Sequence, residues 1–195
     1  MIVLGSKSPR RKQLLIEGGF EFIVKHYDVD ESYPKSLKKE EIPLYLSRKK
    51  AEAYNEPLND VVLICADTIV CIDDKILNKP KDFHEAYKML KLLSGTMHEV
   101  YTGVTLRRED DYQSFFEKTE VYFKPLTSNE IEQYIKHFSP FDKAGGYGIQ
   151  EWIGYIGVEK IVGCFYNVMG MPVSRLYSEL QDFHPKVTKS VIFNG

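Results

Sequence analysis

Three stretches of this 195-residue chain hold residue types that could do chemistry. The first is GSKSPRRKQLL, residues 5–15, where an apolar strand signal runs into a helix. Ser8 is a good N-cap, and Pro9 fits the first turn, where a missing N–H costs nothing. Arg10, Arg11 and Lys12 then occupy the turn in which the helix dipole favours anions. Free N–H groups and two arginines at a strand-to-helix turn make a phosphate cradle; the plain alternative is a solvated basic helix start. The second stretch is ICADTIV, residues 64–70, in which Asp67 interrupts two apolar runs. A carboxylate there is costly unless paired or bound to a metal, so Asp67 reads as a general base, a metal ligand or a structural cap. Asp30 or Glu31, in DVDESYP, could offer a second carboxylate to the same ion. The third stretch is FDKAGGYGIQ, residues 141–150. Its glycines permit close backbone approach, and Gln150 has both a donor and an acceptor for a base edge; a surface turn is the alternative.

Other chemistries lack their patterns. There is no GxGxxG, no Walker A sequence and no GxSxG. The five histidines show no zinc-ligand spacing. Ser6, Ser8 and His98 form no triad motif. The SRKK run, residues 47–50, reads as a solvated helix face, with Lys50 nearest the apolar stripe.

Elements must position these residues. Strands are expected at Ile2–Gly5, Phe20–Lys25, Val61–Ala66 continued by Ile69–Ile72, Val100–Arg107 and Phe115–Phe123. Two more short ones are expected at Ile153–Val158 and Ile161–Tyr166. Helices are expected at Pro9–Glu17, Ile42–Tyr54, Asp82–Leu93, Thr127–Phe138 and Met171–Phe183. Asp82 with Glu85, and Thr127 with Glu130, have capping-box spacing. Asp73-Asp74-Lys75 is a turn signal. Intermingled strands and helices define an α/β class with a mixed sheet.

Bulk properties set the limits. Apolar residues are 43% and charged residues 28%, as in ordinary globular domains. A net charge of −2 argues against a general nucleic-acid binder, although it leaves room for a local basic pocket. Three cysteines without a CxxC suggest reduced thiols and a cytoplasmic home. No apolar run is long enough for a membrane span, and the charged residues after Leu4 exclude a signal-peptide pattern.

Taken together, the motifs resemble those of the Maf family of nucleotide pyrophosphatases. SKSPRRKQLL, DES, RKKA, ADTIV, NKPKD, LSGTMHEVYTGV, DKAGGYGIQ and YNVMGMPV follow in that family's order, from Ile2 to about Leu180. The resemblance implies one α/β domain over residues 1–183 and a tail, 184–195, of unknown role. It implies a twisted mixed sheet with flanking helices, and two lobes around a deep cleft, similar to inosine triphosphate pyrophosphatases. The implied activity is cleavage of dTTP and UTP to the monophosphate and pyrophosphate, with a divalent cation (Mg2+, with Mn2+ or Co2+ as alternatives). Modified nucleotides as substrates, or a nucleotide-binding regulator of cell division with little catalysis, are the alternatives. Implied partners are the nucleoside triphosphate and a second copy of the chain, with neither nucleic acid nor membrane. By the resemblance Asp67 is the catalytic carboxylate, the proton acceptor, with Glu31 and Asp67 toward the metal. Arg10, Thr68 and Gln150 govern substrate choice, and Ser8, Arg11, Lys50, Lys79 and Lys143 lie around the phosphates. Gly5, Glu151 and Cys164 depart from common family residues, and Glu151 places a carboxylate beside Gln150.

Overall fold

The chain opens with β1 (Ile2–Gly5), α1 (Pro9–Glu17), β2 (Phe22–Lys25) and α2 (Glu41–Ala53). Then come β3 (Val62–Ile72), β4 (Lys75–Leu77), α3 (Phe83–Leu93), β5 (Met97–Arg108) and β6 (Asp111–Phe123). It ends with α4 (Ser128–Phe138), α5 (Trp152–Gly157), β7 (Val158–Val162), α6 (Phe165–Met169) and α7 (Val173–Phe183). This is a computed structural model that describes residues 1–185. The tail expected over 184–195 lies, from residue 186 onward, outside the described residues. One mixed sheet of seven strands has the order β2-β1-β3-β5-β6-β7, with β4 on β3. The α/β class with flanking helices is the one the pattern predicts.

The chain forms two compact units. The first comprises Met1–Asp67, Thr102–Glu117 and the segment from Gly170. In it β1 runs parallel to β2 (Ile2 opposite Phe22) and to β3 (Ile2 opposite Val62). Parallel pairs need crossovers, and α1 and α2 are those crossovers. Val3, Ala51, Tyr54, Leu58, Val61, Leu63 and Cys65 form a core cluster, with Tyr27 and Tyr112 against it. Val62 to Ala66 are all fully buried, as expected for a central strand covered on both faces.

The second unit comprises Thr68–Tyr101 and Lys118–Met169. Here α3 packs on α4, and α4 on α5. The helical stripe Ala86, Leu90, Leu93 is completely buried, as are Ile131 and Tyr134 on α4. The Thr127–Glu130 capping box is formed in both directions. At α3 only half of it forms, because Glu85 accepts from Lys81 N at 2.9 Å instead of from Asp82.

The structure corrects three local readings. Ile153–Val158 is not a strand: residues 152–157 are the helix α5. Nor is Ile161–Tyr166: the strand there, β7, runs over Val158–Val162, the chain turns at Gly163 with φ +124°, and Phe165 begins the helix α6. Ile153, Gly154 and Gly157 are buried while Tyr155 is 82% exposed, so burial follows helical spacing. Packing against α4 outweighs the strand preference of the two isoleucines and the tyrosine. In addition Lys75 is not turn but the first residue of β4; Asp73-Asp74 alone make the reversal, with Asp73 at φ +49°.

Candidate active site

In the order β2-β1-β3 the chain leaves β1 for one neighbour and later returns on the other side. Ligand sites of open α/β sheets lie beyond the carboxyl ends of strands at such a reversal. The segment at that end of β1 is Ser6–Arg11. Ser8 is the N-cap of α1, and its Oγ accepts from Arg11 N at 3.4 Å. Ser6 Oγ accepts from Ser8 N at 3.2 Å and from Arg11 Nη1 at 3.4 Å. Arg11 Nε donates to the Gly170 carbonyl at 2.8 Å, which fixes the guanidinium. Burial lowers the Arg11 pKa, and the charge of Asp67 works against that shift, as does Glu31 more weakly. Arg10, the second residue of α1, is half-buried.

Register with β1 ends at Leu4 opposite Ile64, and register with β4 begins at Val70. Asp67 lies in the stretch of β3 between these two pairings. Lys50, in the last turn of α2, reaches it: Nζ is 2.5 Å from Asp67 Oδ1 and 2.8 Å from Glu31 Oε1. The side chains of Lys50 and Asp67 are 15% and 13% exposed, whereas Glu31 is 50% exposed. Thus a single ammonium joins a nearly buried acid to an accessible one. The loop carrying Glu31 is fastened by further charge pairs. Asp28 meets Lys7 at 2.5 Å, and Asp30 meets Lys49 at 2.8 Å. The hydrogen bonds of Lys49 and Ser32 hold the Asp30 pKa down at about 2.

Thr68, Lys79, Lys143 and Gln150 belong to the second unit. Thr68 is half-buried and Lys79 is exposed. Lys143 is buried, with Nζ 2.7 Å from Asp142 Oδ1 and 3.1 Å from Glu151 Oε1. The Tyr134 hydroxyl donates to Glu151 Oε2 and accepts from Gly148 N at 2.9 Å. Both oxygens of Glu151 are therefore engaged inside this unit. Gly145 has φ +72°, and a Cβ there would lie 3.0 Å from Val70 Cγ1, so the turn needs glycine. Gln150 Oε1 is buried without a hydrogen-bond partner among the described residues. Such an acceptor costs free energy unless a donor arrives.

Glu31, Lys50, Asp67 and Arg11 are thus brought together in the first unit. The sequence pointed to each of them, but not to Ser6, which braces the turn, or to Tyr27 and Cys65 behind the acid. Ser6 carries no motif weight of its own, Cys65 looks like any apolar residue in its run, and Tyr27 stands in a polar loop.

As a donor set for a divalent cation, Glu31 and Asp67 fit. They are hard oxygen ligands that already share one cationic group. No group of three or more His, Cys, Asp or Glu among the described residues could hold an ion. Two carboxylates, with phosphate oxygens and water completing the shell, is the pattern Mg2+ favours.

These features define a class: a mixed-sheet α/β protein with a basic strand-to-helix turn beside a nearly buried, lysine-paired carboxylate. The chain belongs to the Maf-like protein family, whose family model matches residues 1–183. It is 51% identical over 187 residues to the dTTP/UTP pyrophosphatase of Cytophaga hutchinsonii, covering 95% of this chain and 86% of the relative. It is 52% identical over 184 residues to that of Parabacteroides distasonis, covering 93% and 95%. To that of Porphyromonas gingivalis it is 50% identical over 186 residues, covering 93% and 94%.

Proposed function

We propose that this chain hydrolyses dTTP and UTP to the monophosphate and pyrophosphate. The observation that carries the reading is Asp67, nearly buried yet joined through Lys50 to the accessible Glu31, in the same unit as the Arg10–Arg11 turn. The relatives, named as dTTP/UTP pyrophosphatases, supply the nucleotides. A triphosphate carries about four negative charges near neutral pH. Arg10, Arg11, Lys50 and Lys79 are the cations that answer it, with Ser8 and the N–H groups of the first turn of α1 on the oxygens. Lys143 already meets two carboxylates, so its share is smaller than a motif match implies.

Attack is on the α-phosphorus by water, with pyrophosphate leaving opposite. Asp67 takes the proton from that water. Lys50 holds Asp67 Oδ1 and so fixes the direction from which the carboxylate acts. Glu31 and Asp67 would hold a divalent cation, which supplies charge neutralisation for the phosphates when bound. Thr68 and Gln150 read the base, and the orphaned Gln150 Oε1 suits an N–H donor on the pyrimidine ring.

The test is a nucleotide panel, modified pyrimidines included, assayed for pyrophosphate with and without Mg2+. Metal-dependent pyrophosphate from dTTP and UTP is expected. Orthophosphate alone, or tight nucleotide binding without turnover, would sink the reading. All three cysteines are free thiols, and we place the reaction in the cytoplasm. No helix among the described residues is long and apolar enough to cross a membrane. A homodimer is proposed from the family resemblance, and light scattering of the eluted protein measures it.

A further inference from the structure

We propose that Tyr27 is a positioning residue for the Lys50–Asp67 pair; this rests on the reading that Asp67 works in the reaction. Three segments carry that site: the end of β1, the stretch of β3 before Asp67, and the last turn of α2. The Tyr27 hydroxyl contacts the last two and lies beside the first. It donates to the Lys50 carbonyl at 2.8 Å. It lies 3.2 Å from Cys65 Sγ, two residues before Asp67 on β3. A Cβ built on Gly5 would fall 2.8 Å from the same hydroxyl oxygen and 2.8 Å from Cys65 Sγ. The ring itself is held edge-on against Tyr54, with centroids 5.7 Å apart.

The bond to Lys50 matters because the last four carbonyls of a helix have no partner within it. Lys50 is the first of those four in α2. Without the hydroxyl its carbonyl loses a partner at the residue whose ammonium holds Asp67. Burial and the neighbouring Cys65 both raise the Tyr27 pKa, so the phenol keeps its proton and remains a donor. Arg107 serves as an internal comparison. Its Nη1 donates to the Ala51 and Tyr54 carbonyls at 2.7 and 2.8 Å, which secures the same helix end through carbonyls other than that of Lys50.

The experiment compares Tyr27→Phe, Gly5→Ala, Arg107→Ala and Asp67→Asn in the pyrophosphate assay, with Tm recorded for each and turnover measured well below every Tm. Tyr27→Phe keeps the ring, and is expected to lower kcat ~10–100-fold while KM moves less than ~3-fold, since no substrate contact is removed. Gly5→Ala displaces the same oxygen with a methyl and should give the same split, and the double variant should lose less than the product of the two singles. Arg107→Ala should lower Tm and leave kcat within ~2-fold. Asp67→Asn should lose ~10²–10⁴-fold in kcat. A Tyr27→Phe protein with wild-type kcat overturns the proposal, as does an Arg107→Ala protein whose kcat falls equally. Full turnover by Asp67→Asn overturns the underlying reading instead, whatever Tyr27→Phe does.

Discussion

At the scale of single residues, the decisive feature is which polar atoms have partners inside the protein and which wait for one. Asp67 Oδ1, Glu31 Oε1, Glu151 Oε2 and the Arg11 guanidinium are all engaged. Gln150 Oε1 is not, although it is buried. A hydrogen bond formed there by an incoming base is worth about 1.5 kcal/mol, or tenfold. Gln150→Ala is therefore expected to lower kcat/KM for dTTP and UTP ~10-fold relative to triphosphates whose base offers no ring N–H donor at that edge. An equal loss for every triphosphate in the panel would refute base reading by this residue. The sequence made Gln150 legible through its place at the end of a glycine-rich run. It also raised the concern that Glu151 would crowd the reader with charge. The structure removes that concern, because Lys143 and Tyr134 draw the carboxylate into their own network. Neither partner was legible beforehand, since one lies eight residues upstream in a loop and the other on a different helix.

At the scale of elements, cap chemistry and burial decided what could be read. β1, α1 and α4 stand where the pattern puts them, because each has an unambiguous start signal: an apolar run, Ser8-Pro9, and Thr127 with Glu130. Residues 152–157 could not be read, because a period of three to four and a period of two are hard to tell apart across six residues. β4 escaped for a similar reason: three residues are too short to show alternation. The Thr127 box makes a quantitative case. Thr127 Oγ1 accepts from Glu130 N at 3.2 Å, and Glu130 Oε2 accepts from Thr127 N at 2.7 Å. Thr127→Ala should cost about 1 kcal/mol and lower Tm by ~2–4 °C. Calorimetry that finds Tm unchanged would show that α4 is held by its buried face alone.

At the scale of the whole molecule, stability is expected to depend on pH through a group far in sequence from Asp67. His98 is completely buried, with Nε2 2.6 Å from the Tyr147 hydroxyl and its ring edge-on to Phe123. Burial pushes its pKa down to about 4, so the folded protein keeps it neutral. The unfolded chain protonates the same ring near pH 6.5, and so binds more protons between pH 6.5 and 4. Stability is whole above that window and is lost as pH falls through it, by about 3 kcal/mol in all. Urea unfolding at pH 7.5 and pH 5 checks this, with His98→Gln as the reference that lacks the titration. A difference between the two proteins that is the same at both pH values would exclude His98 as the cause.

The missing side chain at Gly5 makes two distant positions one choice. The hydroxyl of Tyr27 fills the space that an alanine methyl at position 5 would need. The methyl and the hydroxyl in its present place exclude each other, so a substitution at either position is also a substitution in the surroundings of the other. Removing the phenol oxygen makes room for the methyl, whereas the methyl alone pushes the oxygen off the Lys50 carbonyl.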